Sequence, residues 1–160
     1  MTARLFIAGA ASALLLATAL PALAADPHAH SQGAEPPAHG ITLDHGRKWA
    51  TDAPLREGMG NIREALERRH AALAKGALDA AAYAELGAVI EKNVASIVAN
   101  CKLGPEADAN LHVVVAQLVD AADSMRSPSG MKRIEGAQKA MGAVDLYGRY
   151  FDHPGWKPLA

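Results

Sequence analysis

Between positions 54 and 152 apolar residues return every third or fourth place, in four successive stretches divided by polar punctuation. Leu55, Met59, Ile62, Leu66 and Leu73 draw the first stripe, and Tyr83, Leu86, Ile90, Val94, Ile97 and Cys101 the second. Leu111, Val115, Leu118, Ala122 and Met125 form the third, and Ile134, Ala137, Met141, Val144, Gly148 and Phe151 the fourth. Steps of three, four or seven place such residues on one face of a 3.6-residue helix, whereas a half-buried strand needs alternation. The spacing therefore predicts helices over about 54–75, 79–101, 105–125 and 129–152. Punctuation agrees: Thr51 or Asp52 caps the first helix ahead of Pro54, and Gly76 ends it. Asp79 caps the second, Leu103-Gly104-Pro105 turns the chain into the third, and Ser127 with Pro128 opens the fourth. Four rods of similar length on short turns have to run up and down against one another, so the expected fold is all-α, an antiparallel up-down-up-down four-helix bundle.

The stretch before the rods has a different character. MTARLFIAGAASALLLATALPALAAD opens with Arg4, runs apolar from Leu5 to Leu20, breaks at Pro21 and reaches an A-x-A site at Ala22 and Ala24. That is the pattern of a secretory signal peptide, 1–25, and it implies export to the periplasm with no membrane attachment after cleavage. DPHAHSQGAEPPAHG follows, without a large apolar residue, and is expected to be a disordered His/Pro-rich leader, 26–42, ahead of a folded domain over 43–160. Trp49 and Trp156 are expected to cover one end of that domain.

Charge and cysteine content narrow the partners. The chain carries 16 basic and 17 acidic side chains, and loss of Arg4 with the signal leaves 15 against 17. A balance this even offers no footprint for nucleic acid. One cysteine, Cys101, cannot form an internal disulfide in an oxidising compartment, so the apolar core has to hold the fold. That core looks lean, because alanine abounds and Gly58, Gly60, Gly87, Gly136, Gly142 and Gly148 fall inside helices. Close approach of neighbouring helices accounts for them, and so does space for a flat cofactor.

Candidate chemistry rests on soft and imidazole donors. His28, His30, His39 and His45 form a short histidine tract able to bind copper, zinc or nickel. Met59 early in the first rod and His112 early in the third fall at similar depth, and a thioether with an imidazole suits copper(I). At 1.5 Å per residue Cys101 and His112 differ in height by about 10 Å, too far to share one ion. Asp108 lies one turn before His112, the spacing of a side-chain pair, so this inward-leaning histidine also fits a structural role. No G-x-S-x-G, H-E-x-x-H or Glu-x-x-His pattern occurs, which points away from an enzyme. The expected function is a non-enzymatic periplasmic bundle that binds a metal ion, copper, through His28, His30, His39, His45, Met59 and His112. The alternatives are a cofactor-free interaction or structural module with an unidentified periplasmic protein as partner, and a haem-b binding bundle, which ranks below copper.

Two resemblances bear on this. An exported chain of this size with four helices is similar to the periplasmic four-helix-bundle cytochromes, c-prime and its haem-b relatives, but C-x-x-C-H is missing. In the haem-b type a methionine early in the first helix and a histidine late in the fourth hold the iron. Met59 matches the former, while His153 falls beyond the expected end of the fourth helix. NCKLGPEADANLH, 100–112, with WATDAPLREGM, 49–59, resembles more closely the DnrO-like small exported proteins. That resemblance implies a link to respiratory or nitrosative stress, and it brings no activity and no site residue with it.

Overall fold

The computed structural model describes residues 40–160, and these are all-α. Five helices follow in order: α1 Ala53–Glu67, α2 His70–Leu73, α3 Ala80–Asn100, α4 Pro105–Met125 and α5 Gly130–Tyr150. Among the described residues there is no strand, only two isolated bridges. None of the described helices is long and apolar enough to cross a membrane. The signal peptide and the histidines His28, His30 and His39 lie outside the described residues.

Local chemistry sets the helix limits. Asp52 accepts the Leu55 N–H at 3.0 Å and caps α1, with Pro54 in its first turn; Asp79 accepts the Ala82 N–H at 2.8 Å and caps α3. Such a side chain satisfies a donor that the helix itself leaves free. Pro105 opens α4, and Glu106 with Asp108 places negative charge at the positive end of its dipole. The first rod does not run to 75 as its periodicity predicts. At Arg69 the N–H bonds back three residues to the Leu66 carbonyl, φ opens to −112°, and a separate short turn, α2, brings Leu73 into the core. Gly76 then takes φ +60°, the left-handed conformation in which a Cβ is strained.

α1 lies against α3 and α5, α3 against α4, and α4 against α5, a circuit compatible with a helical bundle. The core within it contains Leu55, Met59, Ile62 and Leu66 from α1, and Leu86, Ile90 and Ile97 from α3. The third stripe is buried at Leu111, Leu118, Ala122 and Met125 as expected, while Val114, fully buried, takes the place expected of Val115, which is only partly buried. The fourth is built largely of small residues, Gly136, Ala137, Ala140 and Ala143, with Tyr147 and Phe151 supplying bulk.

Three helical glycines mark where neighbouring helices come close. A Cβ on Gly136 would stand 2.8 Å from the Ala121 carbonyl oxygen and 3.0 Å from the Met125 nitrogen; one on Gly87 would meet the Ala122 oxygen at 3.0 Å. A Cβ on Gly58 would meet Ile97 Cγ1 at 2.5 Å. Close approach, the first of the two explanations for these glycines, applies at all three. A Cβ at Gly142 meets nothing within 4 Å. Gly142→Ala is therefore expected to raise stability by up to about 1 kcal/mol through helix propensity alone. Gly136→Ala has the same gain but must displace backbone, at about 1–3 kcal/mol, and is expected to be net destabilising. Urea midpoints of the two variants, moving in opposite directions, check this; a rise in both would mean that α4 and α5 are loosely apposed.

The leading segment is seated rather than loose from Gly40 onward, although the sequence places 40–42 in the leader. Asn110, 5% exposed on α4, accepts the Thr42 N–H at 2.7 Å, and the Thr42 carbonyl accepts the Trp49 indole N–H at 2.6 Å. Trp49 and Phe151 pair as a parallel bridge, through Trp49 N–H to Tyr150 O and Asp152 N–H to Trp49 O, both 2.8 Å. Trp49 thus closes the end of the molecule where α5 finishes.

Candidate functional site

The end of α3, the start of α1 and the start of α4 meet around one carboxylate. Asp52 Oδ1 accepts the Leu55 N–H, and Oδ2 accepts the Lys102 N–H at 2.6 Å, so a single side chain caps α1 and anchors the turn after α3. The Cys101 thiol points at the same carboxylate, with Sγ 3.5 Å from Oδ1. Partial burial works against charge on Asp52, yet the donors from Lys102, Leu55 and Cys101 outweigh it and hold the carboxyl below its ordinary range. The thiol moves the other way. Burial, the hydrogen bond to Asp52 and the charges of Asp52 and Asp108 push Cys101 up to about 12. These effects favour the neutral thiol at neutral pH.

Beside this clip a groove of about 210 Å³ runs between α3 and α4, lined by Ile97, Val98, Cys101, Asp108, Leu111, His112 and Val115. Cys101 and His112 both line this groove. His112 faces outward instead of inward, with its side chain 53% exposed. Its Nδ1 is 2.8 Å from the Asp108 carbonyl oxygen and 3.4 Å from the Asp108 carboxylate, the contact that the i,i+4 spacing anticipates.

The remaining sequence candidates are scattered. Met59 is fully buried in the core and does not line the groove that holds His112. His45 stands at φ +47° on a turn closed by Asp44 and Arg47, its side chain 91% exposed and its Nε2 3.9 Å from the Asp44 carboxylate. Among the described residues no group of three or more His, Cys, Asp or Glu side chains is placed to hold a metal ion.

A second cluster, at the finish of α5, escapes the periodicity argument. Tyr147 is fully buried, stacked on Phe151 at 5.3 Å between centroids and edge-on to Trp156 at 4.9 Å. Its hydroxyl lies 3.0 Å from His153 Nδ1. Burial above all, with the nearby Cys101, Asp52 and Asp152, keeps the phenol protonated against the opposing pull of Arg56. His153 is lowered from its usual value by burial and then by Arg56, with Asp152 offsetting part of the shift. A Cβ on Gly148 would collide with the Trp156 indole nitrogen, so the glycine admits the ring. The sequence signal for this cluster is His153-Pro154-Gly155-Trp156, a turn followed by a large aromatic directly after a helix.

No protein family model, curated protein or solved structure matches this chain.

Proposed function

We propose that this chain is an exported, non-enzymatic antiparallel four-helix bundle that works as a cofactor-free interaction or structural module. What supports the reading is the use to which the fold puts its best internal ligands. Met59 is wholly enclosed by apolar neighbours, and the Nδ1 of His112 is engaged by Asp108. A thioether in the core is a structural group first, and the Asp108 contact gives the imidazole a partner on its own helix. His112→Ala then removes one half-exposed helix pair, and is expected to cost about 0.5 kcal/mol and leave metal content unchanged. Thermal melts together with metal analysis of the protein recovered from its native compartment test this. The reading requires metal well below one ion per chain; stoichiometric metal that disappears with His112→Ala would overturn it.

A second reading is copper binding through the histidine tract, and His45 favours it. That side chain is free in solvent beside a carboxylate, and His39, His30 and His28 precede it in the sequence. Neutral imidazoles in such a tract are competent copper ligands without any help from the bundle. Stoichiometric copper that is lost when His28, His30, His39 and His45 are changed together would move the assignment to this reading. Haem binding is a third reading, and a Soret shift on adding haem to the purified protein is its test.

A further inference from the structure

We propose that the segment His153–Ala160 is a proton-operated strap, which leaves the surface of α1 and α5 when His153 takes up a proton and so uncovers Tyr147, Gly148 and the Arg63 guanidinium. Four attachments hold the strap down, one of them the Ala160 N–H donating to the Glu67 carboxylate at 3.4 Å. The Trp156 indole lies against Gly148 and edge-on to Tyr147. Arg63 on α1 donates from Nε to the Lys157 carbonyl and from a terminal nitrogen to the Pro158 carbonyl at 3.3 Å. His153 bonds Tyr147 and tilts against Trp156, their centroids 4.9 Å apart.

Only the last of these responds to pH near neutrality. Tyr147 is buried and remains a phenol, so the arrangement that satisfies both groups has its O–H donating to an unprotonated Nδ1. A proton on Nδ1 meets that O–H head-on, and the phenol must turn its hydrogen into a buried site or lose the bond. The other charges around the imidazole add to the conflict. Arg56 on α1 is fixed by the Thr51 carbonyl at 2.5 Å and its hydroxyl at 3.2 Å, and it repels an imidazolium. Arg63 and Glu64 of α1 and Lys157 of the strap line the same cleft as His153, two cations to one anion, and Asp152 supplies the second carboxylate. Off the surface the imidazole is hydrated and unopposed, so protonation favours release. With the seated value below the free one of about 6.5, release begins as pH falls through that value. The open population then grows about tenfold for each unit separating the two values, and levels off below the seated one.

Trp156 and Trp49 are the two tryptophans, one in the strap and one in the core, which makes the test internal. The full chain carrying 5-fluorotryptophan is followed by fluorine NMR from pH 7.5 to pH 5, as wild type, His153→Phe and His153→Gln. The Trp156 resonance is expected to move to the solvent position in the wild type while Trp49 stays, and neither variant is expected to show that pH step. A Trp156 signal unmoved at pH 5, the same step persisting in both variants, or the two tryptophans moving together would each overturn the proposal.

Discussion

Replacing Met59 by alanine is expected to cost about 3 kcal/mol, within the 2–5 kcal/mol typical of emptying a buried methionine site, and to lower the melting temperature by roughly 10 °C. Met59 has no exposed surface and lies among Leu55, Ile62 and Leu66. Beside it, Gly58 lets Ile97 of α3 close in, so the hole has firm walls on that side. Leucine has nearly the same volume, and Met59→Leu is expected to cost less than about 1.5 kcal/mol. The contrast separates core from ligand, because a thioether bound to metal is not replaced by leucine whatever the volume. Guanidinium denaturation of the two variants with and without a chelator reads it. An alanine variant as stable as wild type would mean that the site is loosely packed.

Asp52→Ala is expected to cost about 2 kcal/mol, which combines the loss of a helix cap with the loss of the anchor on the Lys102 N–H. Lys102 is exposed, so water replaces part of that second bond and keeps the figure from rising further. The effect depends on pH, with a definite sign. The folded carboxyl titrates below its unfolded value of about 3.9, so its contribution is complete above that value and is lost as pH falls through the folded one. Wild type and variant should therefore differ most near neutrality and converge in acid. Stability measured by urea titration at pH 7, 5 and 3 checks this; a constant difference at all three would show that the carboxylate charge contributes nothing.

Much of the fold was legible in the sequence because large apolar residues mark three of the rods and caps mark their ends. Asp79, Pro105 and Gly76 act where their chemistry says they should. The fourth rod was harder to place, since its buried face is glycine and alanine, and these residues carry almost no hydropathy contrast between core and surface. Val114 and Val115 show a related difficulty: two adjacent valines fit one period equally well, and packing decides between them. His112, one place after the buried Leu111, lines the rim of a groove. The break after Glu67 depends on how α2 directs Leu73 into the core, which the periodicity of single residues does not record. Asp52 was legible as a cap, but its reach to Lys102 and Cys101 joins positions about fifty residues apart, and no local rule predicts such a contact. Tyr147 was missed because a tyrosine one turn before a helix end reads as surface until His153 and Trp156 fold back over it.

On the proposed reading Met59 and His112, the two candidate soft or imidazole donors carried by the rods, are structural. Titration of the full chain and of a Met59→Leu/His112→Ala double variant with copper(I), against a competing chelator, addresses it directly. Both proteins are expected to show the same stoichiometry and the same affinity; a copper(I) site present in the wild type and lost in the double variant would contradict the structural role of these two residues.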